Sequence, residues 1–327
     1  MPLRLSPLWL ALVVLMALCR PSAALSCTAS IDSVNFGTVA TLSSPQVDVT
    51  ANVTVACTGG LVILGAPVPP NVFACANIGS GSGGGTAPRL MTGTPSGTLG
   101  YQLYTDPTRL IVWGTNYPTA FGTVPVITVA LNGSGAGSTT VQMYARLPTG
   151  SNPAAPASYL STFGSGDVKF DYGQILTLLT CALSLPSLSA QATAGFTVSA
   201  NIAKNCLVET DNVSFGSFGV LSSPVTANGR VGVTCTPSTT YTVSLGNGGT
   251  GTGPTARKMT KSAEAITYGL YQDGLFATAW GSTIGSNTAA GTGSGAKQNL
   301  TVYGRVPAQA TPSAGTYNDS VVVTITY

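Results

Sequence analysis

Few side chains in this sequence could do chemistry, and one reactive type is missing altogether. The 327 residues include seven cysteines, 10 acidic residues and 13 Lys or Arg, but no histidine. Without histidine, Ser-His-Asp catalysis, Cys-His catalysis and histidine-ligated metal sites are excluded. No two cysteines form a Cys-x-x-Cys pair, so a zinc site is not indicated. We therefore expect no metal, no cofactor and no catalytic residue.

The acidic residues do not form a pattern typical of an enzyme. Asp106 and Asp273 each stand two residues after a Tyr-x-Leu-Tyr segment and directly before Pro or Gly. Asp followed by Pro or Gly is typical of a turn, in which the carboxylate accepts backbone hydrogen bonds. No pair of acids stands out as the two carboxylates of a glycosidase. We predict that the protein is not an enzyme.

The composition narrows the structural class. Apolar residues make up 44% of the chain and charged residues only 7%, and the formal net charge is +3. A disordered chain would be poor in apolar residues, and coiled coils and helical bundles need many charged residues on their solvated faces. A nucleic-acid binder needs a strongly basic surface. Disorder, helical bundles and nucleic-acid binding are therefore disfavoured.

The N-terminal residues have the pattern of a secretory signal. An apolar run over residues 8–18 follows Arg4, and the small residues Ser22, Ala23 and Ala24 come next. The run is too short to span a bilayer, and the small residues are typical of a cleavage site. We predict a signal peptide over residues 1–24 and a soluble, exported chain that begins at Leu25.

The remainder of the chain is a tandem repeat. Cys27 and Cys57 are separated by 30 positions, and Cys206 and Cys235 by 29. Between and after each pair, the same short motifs occur in the same order. The matched motifs begin at Val34 and Val213, Arg89 and Arg257, Tyr101 and Tyr268, Trp113 and Trp280, and Tyr144 and Tyr303. This order indicates a duplicated domain.

Alternating strands and glycine-rich turns predict an all-β fold. Residues 49–55, 196–202 and 321–327 alternate apolar with polar side chains, and Gly-rich stretches such as 79–85 separate such segments. We predict two immunoglobulin-like β-sandwich domains, at 25–190 and 191–327. Cys19 is lost with the predicted signal peptide, and the six cysteines that remain, an even number in an exported chain, indicate disulfides. The repeat favours Cys27–Cys57 and Cys206–Cys235, which leaves Cys75 and Cys181 for each other.

Taken together, these motifs resemble the spore coat protein U domain, the subunit fold of archaic (Csu-type) chaperone–usher pili. The resemblance rests on the paired cysteines, the Val-x-Phe-Gly and Tyr-x-Leu-Tyr segments, the Trp-Gly pairs and the C-terminal segment from Gly315 to Tyr327. It implies an incomplete sandwich whose missing strand is donated by an adjacent pilin subunit. It also implies a periplasmic pilus chaperone that covers the gap before assembly, and an outer-membrane usher.

The C-terminal strand agrees with this implication. Val321, Val323, Ile325 and Tyr327 lie on one face by the period of two. We expect them to bind the chaperone and the donated strand, since an unpaired apolar edge otherwise promotes aggregation. In the predicted mature chain only two residues precede Cys27, too few for a donor strand, whereas residues 194–202 could complete the first domain. This arrangement is expected of a subunit at the pilus tip.

Three apolar segments of the first copy have no counterpart in the second. They are residues 58–70, 117–126 and 159–166, and their Pro and Gly content predicts loops. Exposed apolar loops indicate a binding surface, and tip adhesins of the family use such loops on abiotic and host surfaces. The predicted surface residues are Leu61, Val62, Ile63, Leu64, Tyr117, Phe121, Val124, Val126, Leu160 and Phe163. The alternative is that residues 61–64 and 124–129 are buried strands.

We therefore predict a non-enzymatic tip adhesin at the cell surface that mediates attachment and biofilm formation. The alternative is a spore coat or extracellular matrix protein that uses the same domain without a pilus. A more distant alternative is a secreted carbohydrate-binding protein or hydrolase.

Overall fold

A computed structural model of the protein describes residues 23–42, 46–60, 62–63, 66–68, 70–94, 97–148, 154–174, 181 and 190–327. The regular elements in these residues are 22 β-strands, which confirms the all-β prediction. Within the same residues, no helix is long and apolar enough to cross a membrane. The contacts divide the chain into two compact units: the first ends at Asn201, and the second runs from Ile202 to Tyr327 and takes in the short segments 40–44 and 149–157.

The first unit is built from two antiparallel sheets. One sheet has the strand order β1-β3-β10-β8-β7-β11-β14-β2, the other has the order β13-β12-β6-β9, and β4 and β5 form a separate hairpin. The strands are β1 Ala23–Ile31, β2 Val34–Val39, β3 Val47–Gly60, β4 Val62–Ile63, β5 Ala66–Pro67, β6 Asn71–Ile78, β7 Arg89–Thr94, β8 Thr98–Tyr104, β9 Val126–Ala130, β10 Ala136–Leu147, β11 Ala157–Phe163, β12 Val168–Gly173, β13 Ala190–Thr193 and β14 Phe196–Ile202.

The second unit repeats this plan with fewer strands. One sheet has the order β15-β16-β21-β19-β18 and the other has the order β20-β17-β22. The strands are β15 Cys206–Asp211, β16 Val225–Cys235, β17 Thr240–Leu245, β18 Arg257–Lys261, β19 Glu264–Tyr271, β20 Ala289–Thr292, β21 Gln298–Val306 and β22 Val323–Thr326. The shared central order is β1-β3-β10-β8-β7 in the first unit and β15-β16-β21-β19-β18 in the second.

Three disulfides connect the strands as the repeat predicted. Cys27–Cys57 joins β1 to β3, and Cys206–Cys235 joins β15 to β16. Each pair consists of residues directly opposite in the strand register. Cys75–Cys181 exists in the first unit only. The first unit is therefore cross-linked twice and the second once.

A buried arginine and a buried tryptophan form the same centre in both units. Arg89 donates hydrogen bonds to the carbonyl oxygens of Gly79, Ile78 and Trp113. Arg257 donates to the matching carbonyls of Gly246, Leu245 and Trp280. The indole nitrogens of Trp113 and Trp280 donate to Ala76 and Val243. Burial lowers the pKa of Arg89 to about 10 and also lowers the pKa of Arg257.

The two turn aspartates have the structural role that their neighbours predicted. Asp106 accepts the backbone N–H of Ile111 at 2.7 Å, and Asp273 accepts that of Thr278 at 2.7 Å. Each turn contains a non-glycine residue in the left-handed region, with φ of 59° at Arg109 and 57° at Phe276. The carboxylates hold these turns by satisfying backbone donors that the local conformation leaves unpaired.

Candidate functional site

β13 and β14 lie in the two sheets of the first unit. β13 pairs antiparallel with β12, from Lys169 opposite Thr193 to Tyr172 opposite Ala190. β14 lies between β11 and β2 in the larger sheet. As a physical unit the first domain thus extends beyond the boundary of the sequence repeat at residue 190, and residues 190–202 complete its two sheets.

One face of β14 is buried in the core of the first unit. Phe196, Val198, Ala200 and Ile202 are all buried, between 0% and 5% exposed. The ring of Phe196 stacks on that of Phe163 with centroids 4.3 Å apart. Outside the core, Ser158 Oγ lies 3.3 Å from Asn201 Oδ1, and Thr197 N donates to Ser33 Oγ at 3.2 Å. The strand therefore contacts both of its neighbours along its length.

The second unit has no such strand. Residues 202–327 are all described, and none of their strands pairs with the segment that corresponds to β2 or occupies the place of β14. β22 pairs with β17 on one side only. The segment before it, at Asn318, makes an isolated bridge with Thr260. A groove is left where the first unit has β13 and β14, and we call it the acceptor groove.

The acceptor groove leaves part of the second core uncovered. Val34 and Phe36 are 1% and 5% exposed in the first unit, whereas their counterparts Val213 and Phe215 are only partly buried against the second core. The ring contacts of Phe36 and Phe215 support the same correspondence between the units as the sequence does. Phe36 packs edge-on against Tyr101, and Phe215 against Tyr268.

The C-terminal residues line this groove. Val321, Val323 and Ile325 pack, partly buried, against the second core, while Val322 between them is 70% exposed. This alternation is the one that the sequence predicted. Tyr327 follows the same period but is 50% exposed.

Of the predicted surface segments, residues 58–70 are only partly described. Val62–Ile63 and Ala66–Pro67 form the hairpin of β4 and β5 between β3 and β6, and Val68 beside it is 45% exposed. Leu61 and Leu64 lie outside the described residues. The second unit has no hairpin at this position, because Cys235 is followed only by a short turn before β17.

The segment before β9 is partly covered. Tyr117, Phe121 and Val124 are half-buried, and Val126 at the start of β9 is 49% exposed. The guanidinium carbon of Arg89 lies over the ring of Phe121, 4.9 Å from the centroid of that ring. Residues 126–130 form a strand, which was the alternative considered for 124–129, whereas residues 117–124 lie outside the regular strands.

The third segment is not an exposed apolar loop, and this prediction was wrong. Residues 157–163 form β11, and Phe163 is 1% exposed in the core against Phe196. Leu160 is 46% exposed, but it lies on the larger sheet, away from the β9 strand. The Gly-rich residues after Phe163 form the turn to β12, not a loop that contains Phe163.

A buried polar network fixes the Tyr117 segment in the first unit only. Asp171 on β12 accepts hydrogen bonds from Asn77 Nδ2 at 3.1 Å, Tyr117 OH at 2.9 Å and Gln191 Nε2 at 2.8 Å. Gln191 belongs to β13, so the strand that completes the first unit also supports this segment. In the second unit the position of Asp171 on β22 is taken by Thr326.

The sequence patterns did not predict the exposed apolar residues on the two matched turns. Leu110 is 81% and Ile111 46% exposed on the turn that Asp106 holds. Leu275 on the matching turn of the second unit is 88% exposed. The only available signal was a pair of apolar residues inside an Asp-Pro turn, which the strand pattern around it obscured.

These features define a class of protein with two immunoglobulin-like domains in tandem, the first completed by its own chain and the second open. The family model of the Spore Coat Protein U domain matches residues 13–164 and 192–324. The chain belongs to this family.

Similar proteins are found both by sequence and among solved structures. Protein U of Myxococcus xanthus is 32% identical over 170 residues, which cover 46% of this chain and 94% of that protein. Among solved structures, the CsuC–CsuE chaperone–tip adhesion subunit pre-assembly complex from the archaic chaperone-usher Csu pili of Acinetobacter baumannii contains a chain with a TM-score of 0.52 at 17% identity, covering 93% of this chain and 100% of that one. The CupB6 tip adhesin of Pseudomonas aeruginosa aligns over 94% of this chain and 95% of its own, with a TM-score of 0.37 and 14% identity.

Proposed function

We propose that the protein is the tip adhesin subunit of an archaic chaperone–usher pilus, and that it mediates surface attachment and biofilm formation. Residues 1–24 are its signal peptide, the first domain is the adhesive domain, and the second is the pilin domain. It passes through the periplasm to the cell surface.

The observation that carries this proposal is the difference between a filled and an empty position in one chain. In the first unit the groove position holds residues 190–202, with four apolar side chains in the core. In the second unit the same position is open, and Val213, Phe215, Val321, Val323 and Ile325 line it. An open, apolar sheet edge is the feature that strand addition between chains uses.

The strands that fill the corresponding position of the first unit, β13 and β14, indicate what the acceptor groove binds. β13 runs antiparallel to β12, and β14 inserts alternate apolar residues into the core beside β11. In the second unit we assign this position first to a strand of a periplasmic pilus chaperone and then, after transfer at an outer-membrane usher, to a strand of the adjacent pilin subunit. The second unit accepts a strand, while the first needs none.

The adhesive surface lies on the first unit. The hairpin of β4 and β5, with Val68, and the segment from Tyr117 to Val126 have no apolar equivalent in the second unit. Val68 and Val126 are exposed in these segments, and Tyr117 OH donates a hydrogen bond to Asp171. Each large apolar side chain that is buried against an abiotic or host surface contributes up to about 1.5–3 kcal/mol.

A spore coat or matrix role is the second candidate, and the description of the family as Spore Coat Protein U favours it. In that case the acceptor groove would bind a second copy of a coat protein, without chaperone or usher. Genes for a chaperone and an usher beside the gene of this protein support the pilus, and their absence supports the coat.

Co-expression tests the pilus role directly. The full chain is exported to the periplasm with and without the cognate chaperone, and the soluble protein is measured. We expect soluble protein only with the chaperone, as a one-to-one complex, because the open edge aggregates when it is not covered. A soluble monomer without the chaperone would contradict the proposal.

A further inference from the structure

The floor of the acceptor groove contains one charged residue, Asp319, where the first unit has an uncharged one. Asp319 lies between Tyr317 and Val321, and it shares their partly buried face while Asn318 and Ser320 are exposed. Its counterpart on β11 is Ser161, which lies between Tyr159 and Phe163 and is 0% exposed. The segments 158–163 and 316–321 correspond residue by residue, with a tyrosine in second place.

Two glycines show that Ser161 and Asp319 occupy the same place. Gly81 and Gly248 both have a positive φ, of 71° and 79°. A Cβ atom on Gly81 would lie 2.6 Å from Ser161 Oγ, and one on Gly248 would lie 2.0 Å from Asp319 Oδ2. Each glycine thus makes room for the polar group of the residue opposite, in the same loop of its unit.

The Asp319 carboxylate is held towards the core by hydrogen bonds. Tyr268 OH donates to Oδ2 at 2.7 Å, and Gly249 N donates to Oδ1 at 2.9 Å. Burial, and then Asp319 itself, raises the pKa of Tyr268, so the hydroxyl stays protonated. Asp319 is therefore a fixed carboxylate in the floor of the groove.

The first unit shows which donor residue meets this position. The contacts of Phe163 with Phe196 and of Ser158 with Asn201 define one antiparallel register between β11 and β14. In that register Val198 lies opposite Ser161, and residues directly opposite on one face have Cβ atoms about 4.5–5.5 Å apart. An incoming strand that copied β14 would place a valine against Asp319 and cover a carboxylate with apolar atoms.

We propose that Asp319 is a specificity-determining residue: it makes the acceptor groove prefer a donor strand with a hydrogen-bond-donating side chain, such as threonine or lysine, at the position of Val198. This inference rests on the proposed function of the groove. The physical reason is that a carboxylate loses water when the strand arrives, and a donor opposite it restores a hydrogen bond that valine cannot make. The other inward positions of the donor strand remain apolar.

The test uses the full chain extended at Tyr327 by a flexible linker, as long as residues 174–189, and a copy of residues 190–202. Two versions carry valine or threonine at the copied position of Val198. The melting temperature of the second unit is measured for both, in the natural chain and in the Asp319→Ser and Asp319→Asn variants. The matched control is Val198→Thr in β14 itself, opposite Ser161.

We expect the threonine copy to melt about 3 °C above the valine copy while Asp319 is present. With Asp319→Ser, and with Asp319→Asn if the serine variant does not fold, this advantage should disappear or reverse. The control Val198→Thr should lower the melting temperature of the first unit. If Asp319 had only a structural role, its replacement would lower the melting temperature equally for both copies. The comparison of the two copies with and without Asp319 therefore separates a structural role from a role in specificity.

Two further results would overturn parts of the account, and they differ. If the valine copy melts as high as the threonine copy or higher with Asp319 intact, the specificity inference is wrong while the groove still accepts strands. If neither copy makes the chain soluble without the chaperone, the groove does not accept strands, and the proposed function fails together with the inference.

Discussion

The two units of this protein share a core and differ at its open side. Both contain a buried Arg–Trp centre, a disulfide between the first two strands and a turn held by aspartate. The first unit adds β13 and β14, and its core is closed. The second lacks both strands, and its groove residues stay partly exposed. Duplication preserved the scaffold, and the roles that we propose in assembly and attachment depend on what was added to it or left off it.

A second difference concerns the β12 and β22 strands. In the first unit β12 carries Asp171, which organises Tyr117 and Gln191 around it. In the second, β22 carries Thr326 and ends at the half-exposed Tyr327. One strand position therefore supports a surface segment in the first unit and forms an unpaired edge in the second.

The largest expected effect comes from a charge in the acceptor groove. Val323→Asp or Ile325→Asp places a carboxylate on the face that the donated strand must cover, and burying an unpaired charge is costly. We expect complete loss of the chaperone complex and of pili, measured by co-purification and by microscopy. Thr324→Asp on the exposed face of the same strand is the matched control and should retain both. Normal pili with Ile325→Asp would mean that the second unit is not open in the cell.

The next effect separates attachment from assembly. The combined variant Val62→Ser, Ile63→Ser, Val68→Ser and Val126→Thr should lower attachment to polystyrene about tenfold or more, because several apolar contacts are lost together. Pili should be counted in the same cultures and should be unchanged. The matched control changes Leu275 and Ile284 of the second unit to Ser, since these are 88% and 63% exposed, and it should attach normally. Equal loss of attachment in both would contradict an adhesive surface on the first unit.

Removal of the disulfides compares the stability of the two units. Loop closure predicts a loss of about 3.5 kcal/mol for Cys206→Ser with Cys235→Ser, and about 5 kcal/mol for the longer Cys75–Cys181 loop. The bridge of the open unit is nevertheless the more critical one, because that unit is both incomplete and cross-linked once. We expect the second-unit variant to be degraded in the periplasm and the Cys27–Cys57 variant to be recovered in the chaperone complex, as judged by immunoblot. The reverse order would show that the first unit is the less stable of the two.

The smallest effect is an acid titration of the matched turns. The hydrogen bond from Thr108, with the backbone N–H groups of Ile111 and Leu110, lowers the pKa of Asp106 to about 2. The backbone N–H groups of Thr278 and Ala277 lower the pKa of Asp273. Because both folded-state values are depressed, the support for the turns is complete above the ordinary Asp pKa of 3.8 and is lost as the pH falls. Amide chemical shifts of Ile111 and Thr278 should change with midpoints below 3.8, and midpoints at 3.8 would rule out these bonds.

Local sequence patterns predicted what depends on neighbouring residues and on the repeat. The alternation in residues 49–55 predicted part of β3, and the repeat predicted the pairs Cys27–Cys57 and Cys206–Cys235, which left Cys75 and Cys181 for each other. The alternation at Val321, Val323 and Ile325 predicted which face meets the core.

Long-range pairing was harder to predict. Gly164 and Gly166 follow Phe163 and suggested a loop. Tyr159, Ser161 and Phe163 are instead the buried positions of β11, because β14, more than thirty residues later in the chain, covers them. Leu110 and Ile111 are exposed because Asp106 folds their backbone into a turn, and hydrophobicity alone cannot show this. The Asp171 network brings together Asn77, Tyr117 and Gln191, which are far apart in sequence.

The most direct test of the central difference is photo-crosslinking in the cell from matched positions. A photoreactive residue replaces Val321 in the acceptor groove or, in a second strain, Phe163 on the corresponding strand of the first unit. From position 321 we predict a crosslink to the chaperone in the periplasm and to the adjacent pilin subunit in assembled pili. From position 163 we predict only a crosslink within the chain, to residues 190–202. A crosslink from position 163 to a second polypeptide, or only intramolecular crosslinks from position 321, would contradict the account of a closed first unit and an open second one.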